Sequence, residues 1–289
     1  MPDRSSIMVI MNKLDSQTRV RILSALVEGC SIRATSRMTG AAKGTVLKLL
    51  ADISPICEAY HDEHVRGLQA ERVQCDEIWS FCYAKDKNLP DRMRDELGVG
   101  SVWTWTAIDA DSKLVISWHV GDRGADCAKA FMLDLASRIV NRIQLTTDGH
   151  HAYLGAVLDA FGTNVDYIKL YGEPSDGQTR YSPCECIGAK KVPMIGRSNR
   201  VDVSTSYVER NNLTMRMGMR RYTRLTNAFS KKFADLRAAV ALHFMHYNFC
   251  RIHQALRVTP AMEAGLSDHV WDLQDLVGLL EVWENGDSN

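Results

Sequence analysis

The sequence predicts an α/β protein: a mixed five-stranded sheet with flanking helices, preceded by an all-α module and followed by a helical C-terminal region. Two patterns carry this expectation. Residues 14–53 place apolar side chains at helical spacing, interrupted by Gly29 and Gly40, whereas residues 73–171 alternate runs rich in β-branched and aromatic residues with amphipathic stretches. A third observation is the segregation of charge. The 289 residues carry 35 basic and 35 acidic side chains, but Lys13 to Lys48 holds seven basic against two acidic, and Lys190 to Pro260 fourteen against three. Residues 261–289 then hold seven acids and no Lys or Arg.

The N-terminal module comes first. Val20, Leu23, Ala25, Leu26 and Val27 form an apolar stripe that stops at Gly29, and a short helix opens at Ser31. The break at Thr39-Gly40 precedes a third helix carrying Val46, Leu47, Leu49 and Leu50. This order resembles a helix-turn-helix, whose last helix enters the DNA major groove; that geometry aims Lys43, Thr45 and Lys48 at DNA. A small bundle that merely packs on the rest of the chain is the competing reading, and the basic excess favours DNA.

A linker is expected around residues 62–70. Beyond it "VQCDEIWSF" reads as a strand, and "VWTWTAIDADSKLVISWHV" as two strands joined at Asp109 to Lys113. A helix over "ADCAKAFMLDLASRIV", a strand "RIQLTTD" ending at Asp148, a helix "AYLGAVLDAFG" and a strand "VDYIKLY" follow. The order β, β, β, α, β, α, β is the ribonuclease-H-like topology, in which the first strand lies centrally beside the fourth. The expected division is 1–65 for the DNA-binding module, 70–235 for the catalytic domain and 236–289 for the C-terminal helices with the acidic tail.

That topology brings Asp76 of the first strand beside Asp148 of the fourth. A lone carboxylate in such a strand is costly to bury, so it needs a partner or a cation. Glu209, the only acid among residues 203–234, stands in "YVERNNLTMRMGMRRYTR", where Val208, Met215, Met219 and Tyr222 form one apolar stripe and Glu209, Arg216 and Arg220 another face. The basic run through Arg224 to Lys232 is expected to continue that helix along a DNA backbone. Glu77 neighbours Asp76 but projects from the opposite strand face, and on that ground is set aside as a ligand. Three carboxylates suit two magnesium ions roughly 3.5–4 Å apart in an in-line phosphoryl displacement, with manganese an alternative. Asp109 and Asp111 read as turn residues. Of the eight cysteines only Cys184 and Cys186 lie close together, and a single C-x-C is too weak a signal for a zinc site. Without a signal peptide or a membrane-length apolar run, a cytoplasmic protein is expected.

Taken together, "DEIWSFC", "WTWTAIDADSKLVISWHVGDR", "LTTDGHHAY", "ERNNLTMRMGMRRYTRLTNAFSKK" and "HYNFCRIHQAL" resemble the DDE transposases of bacterial insertion sequences, most closely the insertion-sequence-one family. The resemblance runs from about Cys75 to Ala264. It implies a catalytic triad of Asp76, Asp148 and Glu209, divalent metal, double-stranded DNA as substrate at the element ends and target, a homo-oligomer on that DNA, and cleavage followed by strand transfer. Arg216 corresponds to the family's basic residue two turns after the Glu. The insertion at 85–101 is longer than expected, and no CxxC finger accompanies the N-terminal module. Two other classes stay open: an inactive or domesticated relative acting as a DNA-binding regulator, and a nuclease that shares the metals but not the helix-turn-helix.

Overall fold

Six stretches pair into one sheet: β1 (Arg72–Cys82), β2 (Gly100–Asp109), β3 (Val115–Gly121), β4 (Ile143–Asp148), β5 (Val165–Pro174) and β6 (Cys186–Ile195), in the order β3-β2-β1-β4-β5-β6. The computed structural model describes residues 13–94, 96, 98–174, 186–197, 199, 201–223 and 227–286. β1 to β3 form an antiparallel meander, β4 lies parallel to β1 and β5 parallel to β4, and β6 returns antiparallel along β5. The first strand is central and beside the fourth, as the sequence predicts.

The sixth strand is a correction to the five expected. Its sequence, "CIGAKKVPMI", carries two lysines and Pro193, a composition that hides a strand from pattern reading. An edge strand tolerates it, because one side of its backbone is unpaired and a missing N–H there removes no ladder bond. Cys184 lies outside the described residues, and Cys186 opens this strand.

The two parallel steps are made by α4 (Ala125–Arg138) and α5 (Ala152–Phe161). They cover the sheet face that carries Cys75 and Glu77: Trp105, opposite Glu77 on β2, is fully buried against Phe131 of α4 and Tyr153 of α5. The opposite face, with Gln74 and Asp76, takes α6 (Ser206–Gly218). Val208, Met215, Met219 and Tyr222 are all buried, so the apolar stripe read from the sequence does face the core. The helix, however, does not continue through the basic run. It ends at Gly218, Arg220–Tyr222 form a 3-10 turn, and α7 (Phe233–Met245) starts afresh. Burial of Tyr222 beside Thr104 of β2 pulls the chain down onto the sheet and ends the straight run.

At the N-terminal end, α1 (Ser16–Val27), α2 (Ile32–Thr39) and α3 (Lys43–His64) reproduce the expected helix, helix, turn, helix. The Ser31 hydroxyl accepts from Ala34 N at 3.1 Å to start α2, and Gly40 ends it in the left-handed region at φ 75°, which a Cβ would disfavour. These helices share one apolar cluster with α7 and with α8 (Leu273–Gly286), where Leu276, Val277 and Leu280 are buried. The acidic tail meets this basic module: Glu284 accepts from Arg19 at 3.1 Å and Lys13 at 3.3 Å, and Ser16 donates to Glu281. No described helix is long and apolar enough to cross a membrane.

Candidate functional site

Register brings the acids together. Cys75 of β1 pairs with Thr147 of β4, so the next step along the parallel pair sets Asp76 against Asp148, the last residue of β4. One carboxylate oxygen from each of Asp76, Glu77 and Asp148 falls within 4.8 Å of the others, the one group of three or more potential metal ligands among the described residues. The inclusion of Glu77 corrects the expectation that its strand face excludes it. Its Cβ does point to the α4–α5 face. But β4 ends at Asp148, so beyond the Asp76–Asp148 level no strand separates the two faces, and the longer Glu77 side chain meets its neighbours around that end.

The electrostatics are those of like charges crowded out of water. Burial first, then the charges of Glu77 and Asp148, push the Asp76 carboxyl up to about 7. Burial and the Asp148 charge likewise push Glu77 up to about 7, against the opposing pull of the Tyr153 hydroxyl and then of Arg123. Arg123 Nη2 donates to Glu77 Oε2 at 3.1 Å and to Asp148 Oδ2 at 3.4 Å, with its guanidinium over the Trp103 ring. The Glu77 side chain has no exposed surface, and the buried Tyr153 hydroxyl of α5 stands beside its carboxylate. Lys169 of β5 adds a nearby cation whose ammonium donates to His150 O at 2.8 Å. Gly149, directly after Asp148, packs under Tyr171, where an added Cβ would stand 2.5 Å from the ring.

α6 closes the site from the other face. Gln74 Oε1 accepts from Tyr207 N at 2.9 Å and Val208 N at 3.2 Å, satisfying two free N–H groups of the helix's first turn from a residue on β1. One turn on, Asn212 Nδ2 donates to Asp76 Oδ2 at 2.8 Å. Glu209 lies three residues before Asn212, close enough to Asp76 that its charge adds the smallest upward push on that carboxyl. Its own carboxylate accepts from Thr205 Oγ1 at 2.6 Å and stands outside the group of three. So the structure gathers Asp76 and Asp148, holds Glu209 at the rim on α6, and adds Glu77.

The other expected site residues are dispersed. Lys43 and Lys48 are exposed on α3, Lys48 paired with Asp52 at 2.7 Å, while Thr45 is half-buried. Arg216 is half-buried on α6, Arg220 is exposed in the turn after it, and Arg224 lies outside the described residues. Sequence reading missed Arg123, Gln74 and Asn212. Arg123 sits in a turn with no sequence neighbour in the site, whereas the two amides stand at helix and strand positions that report no charge. No protein-family model matches this chain and no curated protein matches it, so its class rests on fold and site alone.

Proposed function

We propose that the chain is a ribonuclease-H-like DDE transposase, binding double-stranded DNA and catalysing divalent-metal-dependent cleavage and strand transfer. The observation that carries this reading is the meeting of Asp76, Glu77 and Asp148 at the end of β4, under a helix that brings Glu209 to the same edge. The residues fit a hard cation: the donors are all oxygens, and one positive charge from Arg123 faces three carboxylates. Asp76 and Asp148 would hold the metal from the strands, with Glu77 or Glu209 completing the set. Bound there, magnesium or manganese would offset the charge on the attacking and leaving oxygens of a phosphodiester.

The chain's own groups do the positioning. Asn212 fixes one oxygen of Asp76, Gln74 anchors α6 across β1, and Arg123 bonds both Glu77 and Asp148. Exposed Lys43 and Lys48, with Arg216 and Arg220 beyond the site, supply cations for phosphate contacts in a homo-oligomer on DNA.

The test is a cleavage and joining assay on duplex DNA with magnesium or manganese. Asp76→Asn and Asp148→Asn should each lower the rate about a thousandfold or more, a loss of about 4 kcal/mol of transition-state stabilisation, with DNA affinity within about threefold of the parent. Nicking by Asp76→Asn at the parental rate would sink the assignment. Full DNA affinity without any metal-dependent cleavage by the parent chain would instead favour the regulator.

A further inference from the structure

The far side of α6 borders a second polar cavity. At 100° per residue, Arg210, Asn211 and Thr214 occupy the side of the helix turned away from Glu209 and Asn212. Together with Lys113 from the β2–β3 turn and Arg251 and His253 from the segment after α7, they line a cavity of about 380 Å³. No carboxylate is among its lining residues.

Three features distinguish this cavity from an ordinary solvated basic face. Asn211 is 2 % exposed, and neither its amide nitrogen nor its oxygen has a hydrogen-bond partner. An unpaired buried amide costs free energy, so it calls for a ligand or a water. His253 Nδ1 is likewise buried and unpartnered. Burial, followed by the charges of Lys113, Arg251 and Arg210, holds the His253 imidazole below its ordinary value, so three cations from three parts of the chain converge on it. Lys113 is already engaged, its ammonium 3.5 Å from the Tyr207 ring and bonded to Ala110 O. The guanidinium groups of Arg210 and Arg251 have no such partner among the described residues.

We propose that this cavity is a phosphate-binding site, in which Arg210 and Arg251 hold the anion and Asn211 Nδ2 and His253 donate to its oxygens. Arginine suits the task because its planar guanidinium matches a phosphate with paired N–H donors. The aromatic floor of Tyr207 and Tyr247 would accept the sugar or base attached to such a phosphate. The site lies apart from the acid cluster, so its occupancy does not depend on the phosphoryl-transfer reading.

Inorganic phosphate, titrated into the full chain by calorimetry in EDTA at constant ionic strength, is the probe. Arg210 and Arg251 are exposed, so Arg210→Gln and Arg251→Gln should keep the fold. Each is expected to weaken phosphate binding about tenfold relative to the parent chain, and Asp76→Asn to leave it unchanged. A second arm uses a short duplex DNA: a parallel loss of duplex affinity in both Arg variants assigns the phosphate to a nucleic-acid backbone, and full duplex affinity assigns it to a free phosphate or nucleotide. Absence of phosphate binding by the parent chain, or equal binding by parent and both Arg variants, overturns the proposal.

Discussion

Arg138 and Asp76 are both charged groups withdrawn from water against the same sheet, yet their surroundings are opposite. Arg138, 5 % exposed, meets Asp134 with two nitrogens at 2.8 Å each, Asp62 at 2.9 Å and Val65 O at 3.1 Å. Asp134 also accepts from Ser117, and although burial alone would raise its carboxyl, the hydrogen bonds from Arg138 and Ser117 outweigh burial and hold it below the usual range. At the end of β4 the balance reverses: burial and like charges act in the same direction and outweigh the groups that oppose them. A satisfied buried ion pair ties α3, α4 and the sheet together. Carboxylates left crowded gain nothing from packing, and their raised values record that cost.

The sharpest way to break this comparison is to unmake the satisfied cluster. Arg138→Ala should destabilise the fold by about 2–3 kcal/mol, because it removes a half-buried ion pair and leaves the carbonyl of buried Val65 without its donor. Urea denaturation at pH 7 measures it, and a loss under 1 kcal/mol would mean the network is solvated after all.

The crowded cluster should behave in the contrary way. A carboxyl whose folded value is raised stabilises below its ordinary value and loses that contribution as pH rises through the folded one. For Glu77 that window runs from 4.5 to about 7. In EDTA, Glu77→Gln should therefore match the parent chain near pH 4.5 and exceed its stability by about 2 kcal/mol at pH 8. Magnesium should raise the melting temperature of the parent and do so less in Glu77→Gln, while a full magnesium response there would transfer the third ligand to Glu209.

A third effect, of similar size, separates the two clusters by the sign of their pH dependence. His61, whose Nε2 lies 3.2 Å from Val115 O beside Arg138, is pushed down to about 3 by burial and then by the Arg138 charge. A histidine depressed in the fold stabilises fully above its ordinary 6.5 and loses that contribution as pH falls from there toward 3. Between pH 6.5 and 5 the loss is about 2 kcal/mol, and denaturation of His61→Gln across the same range should show a shallower decline. His243, pushed down to about 3 chiefly by burial, leaves part of the slope in that variant.

Legibility followed periodicity. The elements from α1 to β5 were readable because each repeats apolar residues at 3.6 or 2 positions, and the central place of β1 followed from their order. β6 was not, since Lys190 and Lys191 interrupt both alternating faces and Pro193 reads against a strand. Nor was the end of α6 at Gly218, where the apolar stripe runs on to Tyr222 although the backbone turns.

The sequence by itself determined that Asp76 and Asp148 would face one another, because a parallel register between β1 and β4 follows from topology and strand alternation. Tertiary structure alone decided the rest of the site. Glu77 joins it because β4 stops at Asp148, and Arg123 reaches it from a turn leading into α4. Asn212 and Glu209 arrive on a helix whose position is set by the bond from its first turn to Gln74. Side-chain length, strand ends and helix docking act across 25 to 136 residues of chain separation, a range over which local pattern carries no information.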